Sequence, residues 1–361
     1  MRILNMVNML GIILTGCMFF FTNCDNIKQS TNKDTIVFQQ FPKVTELGFQ
    51  DFLKFDEGAG TRKLYLTDSS LIICQVHLGL PTYFFHQYSL KNKALMGRYI
   101  AGGRRPGQAL NAFSSGLYKK NTIWLHDISL NKVLTAKLEK KSDGTDTLTI
   151  NEYKIPQFYY AVELMDSLKL LAGGAMHNPY KIQVLNLPSG KEIDQFGSIT
   201  NVPPAVPFYA WKGVFQSFLF LKPSEDKAIE VCRFTDQIEI FDLHSKKSKV
   251  VRGPENFEPD FGIMKTNGGA DVMYQNDKTR YAYLNGVVTN KFIYLLYSGN
   301  NHQSKFKDEG KYIYVYDWKG RPVTKFNLDR YIYGFTVSDD NTMMYAFDRN
   351  TGYIIKTPIH M

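Results

Sequence analysis

The residues best spaced for chemistry are Gly102-Gly103-Arg104-Arg105-Pro106-Gly107-Gln108. A glycine-rich loop with two arginines offers amide donors and guanidinium forks to phosphate or carboxylate oxygens. Phosphate cradles of the nucleotide-binding kind open a helix, however, and none is expected after this loop. Pro106 also removes one amide donor. The segment therefore reads as a turn between strands, with Arg104, Arg105 and Gln108 as candidates to line a ligand face. A second candidate is Asn201 to Trp211, whose Pro203, Pro204 and Pro207 forbid a central strand. We expect a loop there carrying Phe208, Tyr209 and Trp211. Those rings would either anchor a partner or a sugar, or pack over one end of the fold.

Other chemistries find little support. The seven histidines show no His-x-His or His-x-x-x-His spacing, so neither a metal nor another cofactor is expected. No Gly-x-Ser-x-Gly elbow is present, and Gly173-Gly174-Ala175 lacks a nucleophile, so no catalytic residue is assigned. Asp56-Glu57 and Asp339-Asp340 look like turn residues. Cys74 and Cys232 lie in apolar runs and read as buried free thiols. A disulfide between them would need Cα atoms within about 7 Å.

The elements that must position these residues are strands. Ile313-Tyr314-Val315-Tyr316-Asp317-Trp318 passes through Gly320 into Val323 and Phe326, and the chain repeats the pattern. Ile182-Gln183-Val184-Leu185-Asn186-Leu187 runs through Gly190, and Ile238-Glu239-Ile240-Phe241-Asp242-Leu243 runs on to Val250. The Asp or Asn ending each run should accept hydrogen bonds from its turn, with Gly190 and Gly320 at positive φ. Asn121 to Asp127 and Asn341 to Asp348 form a second related pair. The repeat spacings suit a four-strand unit of about 50 residues, as in a propeller blade, and about six such units fit the chain. One unit is lengthened by a polar insertion, Ser298 to Gly310. No helix is expected after Thr35. The last unit supplies three strands, so a strand near Ile36-Val37-Phe38 should complete its sheet and close the ring. The expected fold is an all-β six-bladed propeller of four-stranded antiparallel blades.

The N-terminus reads as an address. Ile3 to Phe21 is largely apolar and sits where an export signal belongs. Two lipoprotein-type cleavage sites follow, before Cys17 and before Cys24. Cys24, where the apolar run ends, is the expected acylation site, with Cys17 the alternative. This divides the chain into a signal peptide (1–23), a flexible tether (24–36) and the propeller (37–361). It would place the protein in the cell envelope on a lipid anchor, most naturally at the outer membrane, facing periplasm or exterior. The formal charge of +9 is scattered, as at Lys119-Lys120, Lys140-Lys141 and Lys246-Lys247. Without a basic helix or arginine-rich arm, no nucleic-acid partner is expected.

Together these residues resemble the TolB-like six-bladed propeller lipoproteins of Gram-negative anaerobes. The likeness rests on the N-terminus, Ile238 to Leu243, Phe292 to Gly299 and Val315 to Val323. The loop Gly102 to Gln108 resembles the family's Gly-x-Gly-Pro-Gly-Glu, with Arg105 before the proline and Gln108 in place of Glu. The resemblance implies an envelope propeller and transfers no catalytic residue. The expected role is a non-enzymatic binding or scaffolding propeller for a protein or glycan partner. The alternative is a propeller hydrolase or lyase acting on a lactone or polysaccharide through axial carboxylates or histidines.

Overall fold

The computed structural model describes residues 34–55, 61–76, 80–138 and 149–361. Six sheets of antiparallel strands follow one another along the chain. Their innermost strands are Thr61–Leu66, Ser114–Tyr118, Ala161–Leu164, Ser217–Leu221, Tyr283–Val288 and Gly334–Val337, in blades one to six. These strands neighbour each other in that order, and Gly334–Val337 returns to Thr61–Leu66, so the sheets form a closed ring. Cys17 and Cys24 lie outside the described residues, as do positions 139–148 with Lys140-Lys141.

Packing explains why the blades read as nearly all apolar. Each sheet buries both faces, so successive residues of a middle strand serve different neighbours. In blade five, Ile293 and Leu295 pack towards blade four, whereas Tyr294 and Leu296 pack towards blade six. In blade three, Leu170 and Ala172 face blade two, and Leu171 faces blade four. Six hydrophobic clusters result, one at each blade interface. Tyrosines are concentrated in one of them. Tyr283, Tyr297, Tyr314 and Tyr316 pack between blades four and five, with Tyr297 stacked on Tyr314 at 4.4 Å.

The turn chemistry is as the sequence predicts. Asn186 Oδ1 accepts from Ser189 N at 3.1 Å, Asp242 Oδ1 from Ser245 N at 2.8 Å, and Asp317 Oδ1 from Lys319 N at 2.9 Å. Asp127 and Asp348 do the same for Ser129 N and Asn350 N. Gly190 and Gly320 have φ of 68° and 82°. Cys74 and Cys232 are free and buried.

Ring closure departs from expectation. Blade six takes its outer strand from Gln50–Lys54 (β3, after β1 at Asp34–Val37 and β2 at Val44–Leu47), which pairs antiparallel with Tyr353–Pro358. Ile36 and Val37 lie instead in β1, which adds as a parallel fifth strand outside Ser248–Arg252 of blade four. β2 adds in parallel to Pro322–Ile332 of blade five. The N-terminal segment is thus a belt around three consecutive blades, and only its last strand completes a four-stranded sheet. The reason is the order of travel: a chain that must enter blade one after β3 reaches blade six last.

Among the described residues there is also one short helix, α1 (Phe208–Val214), and a hairpin, Gly262–Lys265 with Asp271–Tyr274. Both lie in connections on one face, where the inner strands begin; we call it the upper face. The polar insertion 298–310 accounts for only part of the lengthened repeat. The hairpin occupies the longer connection between blades four and five.

One core residue makes a pH prediction. His126 is fully buried, and both its ring nitrogens lack a hydrogen-bond partner. Burial pushes its pKa down to about 4 from an ordinary 6.5. Its contribution to stability is therefore present above pH 6.5 and lost as pH falls through 4. His126→Leu should remove that acid-side loss and cost little at neutral pH, because it deletes unsatisfied buried polar atoms. Denaturant midpoints at neutral and acid pH will check this, and an unchanged acid slope would contradict it.

Candidate functional site

Two cavities among the described residues differ in architecture. The first, about 840 Å³, is a cleft between blades three and four on the upper face. Its floor is a place where the interface stops being apolar. On one face of blade four, Phe241 packs against blade three, but Glu239 and Gln237 follow on that face towards the upper end. The neighbouring strand likewise passes from Ala228 to Glu230 and Cys232. Gly173 on blade three adds no side chain, and a Cβ there would come within 3.3 Å of Glu230 Oε1. The apolar wedge present lower in the interface is therefore missing here.

Charged groups are paired within this cleft. Lys181 donates to Glu239, whose side chain is only 2% exposed, and Glu239 Oε1 also accepts from Ser248 Oγ at 2.6 Å. Burial opposes the charge of Lys181, but Glu239 and Glu230 outweigh it and hold its pKa above the usual lysine range. Arg252 pairs with Glu258. Lys212 donates to the carbonyls of Ala175 and Asn178, with Tyr180 O at 3.4 Å, while burial pulls its pKa down to about 8. This lysine ties α1 to the Ala175–Tyr180 turn.

α1 roofs the cleft, and here the expected loop is corrected. Residues 199–207 are irregular, but Phe208, Tyr209 and Trp211 lie on a helix that begins after Pro207. Proline is compatible with a helix start because the first amides have no intrahelical acceptor. Ala210 and Val214 are buried below the helix, while Tyr209 and Trp211 line the cleft. Tyr209 OH lies 2.7 Å from His177 Nδ1, and Trp211 meets Phe215 edge-on at 5.0 Å. The hairpin closes the outer side with Val272 and Met273. Gly213 permits that approach, since a Cβ there would lie 3.2 Å from Met273 Cβ.

The other loop candidates sit elsewhere. Arg104 and Arg105 are exposed on the connection between blades one and two and do not line the cleft. Gln108 Oε1 accepts from Arg105 N at 3.1 Å and lies against Gly103, which has φ of 150°. Gln108 thus holds its own turn together, a bond that a glutamate carboxylate would also make.

The second cavity, about 350 Å³, is the lower part of the central channel, lined by all six inner strands. Glu163, Glu225 and Asp339 line it alongside Lys63, Lys119, Lys120 and Lys222. Lys120 bridges Asp68 at 2.6 Å and Asp339 at 2.7 Å across the mouth, and Lys63 Nζ donates to Ser115 O at 3.2 Å. No group of three His, Cys, Asp or Glu side chains among the described residues is arranged to hold a metal.

Glu163 gives a prediction of opposite sign to that of His126. Burial raises its pKa from 4.5 to about 8, with Lys63 partly offsetting the rise. A raised carboxyl pKa favours the folded state at low pH, and that contribution is lost as pH climbs from 4.5 through about 8. Glu163→Gln should therefore gain stability relative to the parent between mildly acid and mildly alkaline buffer. Equal slopes for the two proteins in denaturant melts would refute it.

Fold and cavities together define a six-bladed propeller with a built, ligand-sized cleft between two blades. The chain matches the model of the TolB-like 6-blade propeller-like proteins over residues 62–340, and it belongs to that family. No curated protein matches it. Among solved structures it is similar to a Bacteroides fragilis protein described as a candidate exported protein. That similarity has 13% identity and a TM-score of 0.51, and covers 91% of this chain and 99% of the other. It is also similar to Raptor of Chaetomium thermophilum, at 7% identity and a TM-score of 0.51. That match covers 87% of this chain but only 29% of Raptor. Likenesses this distant show the fold alone.

Proposed function

We propose that the protein is an envelope-anchored, non-enzymatic binding propeller that holds a protein segment or a glycan in the cleft between blades three and four. The observation that carries this reading is the cleft itself. Its size falls in the range of small-ligand sites, and aromatic rings from α1 meet a floor of polar groups. The central channel offers less: it is smaller, and lysine and carboxylate side chains bridge its lower mouth. The belt suits an anchored protein. It fastens the start of the described chain to the edge of the ring, where Asp34 pairs with Lys249 of blade four. Acylation at Cys24, or at Cys17, would supply the membrane attachment.

The test is a photo-crosslinking amino acid placed at Gln275 in the cleft, or at exposed Ile193 on the outer strand of blade three as a control. The full chain would be expressed in its own envelope. Adducts formed from Gln275 and absent from Ile193 are expected. Equal adducts from both positions, or none from Gln275, would defeat the proposal.

A further inference from the structure

We infer that the cleft takes the end of an uncharged oligosaccharide. This rests on the binding reading above and adds the chemical class of the ligand. The first argument is charge. The lining contains three basic side chains, Lys181, Lys212 and Arg252, and three acidic ones, Glu230, Glu239 and Glu258. Lys181 and Arg252 are bound to carboxylates, and Lys212 is filled by main-chain carbonyls. An anionic ligand would have to break these pairs, and a cationic one would find the carboxylates occupied. Breaking the buried Lys181–Glu239 pair would leave an uncompensated charge, which disfavours both, whereas Glu258 beside Arg252 is itself exposed. An uncharged ligand leaves the pairs intact.

The second argument is hydrogen-bonding capacity. Asn201, Gln216, Gln237 and Gln275 all line the cleft. An amide side chain both donates and accepts, and a sugar hydroxyl requires both. A hydrocarbon ligand would strand these amides, whereas a polyhydroxylated one would satisfy them. The third argument is shape: Tyr209 and Trp211 present rings along the roof and Phe158 is exposed at the rim. Flat aromatic faces suit the C–H face of a pyranose, and the hydroxyl edge then points to the floor.

The test uses the full chain in detergent against a printed panel of short oligosaccharides. Uncharged hexose and N-acetylhexosamine chains stand beside uronate- and sulfate-bearing ones. We expect binding to an uncharged member that barely changes between low and high salt, since no charge is neutralised. Trp211→Ala should weaken it about tenfold, as loss of a stacked ring does. Gln237→Leu, which leaves α1 untouched, should weaken it as well. Circular dichroism of both variants excludes misfolding as the cause. Binding confined to acidic sugars and abolished by salt would overturn the inference. So would uncharged binding indifferent to both substitutions, or no binding to any uncharged sugar. If Gln275 cross-links to a protein while every sugar fails, this inference falls and the broader reading stands.

Discussion

Phe52→Ala should destabilise the whole ring by about 3–5 kcal/mol, the usual cost of emptying a buried aromatic site. Phe52 is 6% exposed on β3 and packs with Phe55, Leu64, Leu71 and Phe347, residues drawn from the two ends of the propeller. The cavity would open at the one interface joining blade six to blade one. Neighbouring interfaces are held by chain continuity as well as packing, but this one depends on β3 pairing with Tyr353–Pro358. Val44→Ala makes the control: Val44 begins β2, is 56% exposed, and sits on a sheet already complete without it. Its effect should stay within about 0.5 kcal/mol. Chemical denaturation of the two variants distinguishes the roles, and equal losses would show that β3 is not the clasp.

Lys181→Met should cost about as much, roughly 3–5 kcal/mol, because it leaves Glu239 charged and buried without its cation. Glu239→Gln on its own should also destabilise by stranding the lysine, whose side chain is 14% exposed. The double variant should recover much of the loss, since removing both charges also removes their desolvation penalty. A double-mutant cycle measures the coupling directly. Additive losses would mean that the two side chains, though adjacent, do not depend on each other. Because the pair floors the cleft, Lys181→Met should also impair ligand capture at temperatures where the variant remains folded.

The architecture was legible because blades repeat a local chemistry. Asn186, Asp242 and Asp317 each close a strand and hold the next turn, and a pattern repeated in sequence is repeated in space. The closing strand was harder to place. Ile36-Val37-Phe38 has stronger strand character than Gln50-Asp51-Phe52-Leu53-Lys54, but propensity does not record which blade a belt reaches last. α1 was hidden by its three flanking prolines. The spacing of Phe208, Trp211 and Phe215, three and four apart, is the helical signal beneath them. The cleft was the least legible part, being assembled from two blades, a helix and an inserted hairpin far apart in the chain. One cue existed: Glu239 interrupts Ile238-Ile240 in a middle strand that should be apolar throughout. A charge in that position requires a partner from another blade, and Lys181 supplies it.

The central claim, that ligand enters between blades three and four, is tested most directly by hydrogen exchange on the full chain with and without bound ligand. The account predicts slowed exchange in 174–181, 199–217 and 271–275, the segments around the cleft. The channel-mouth turns 119–121, 222–226 and 338–342 should remain unchanged. Protection at those turns with none around α1 would move the site to the axis and contradict the account.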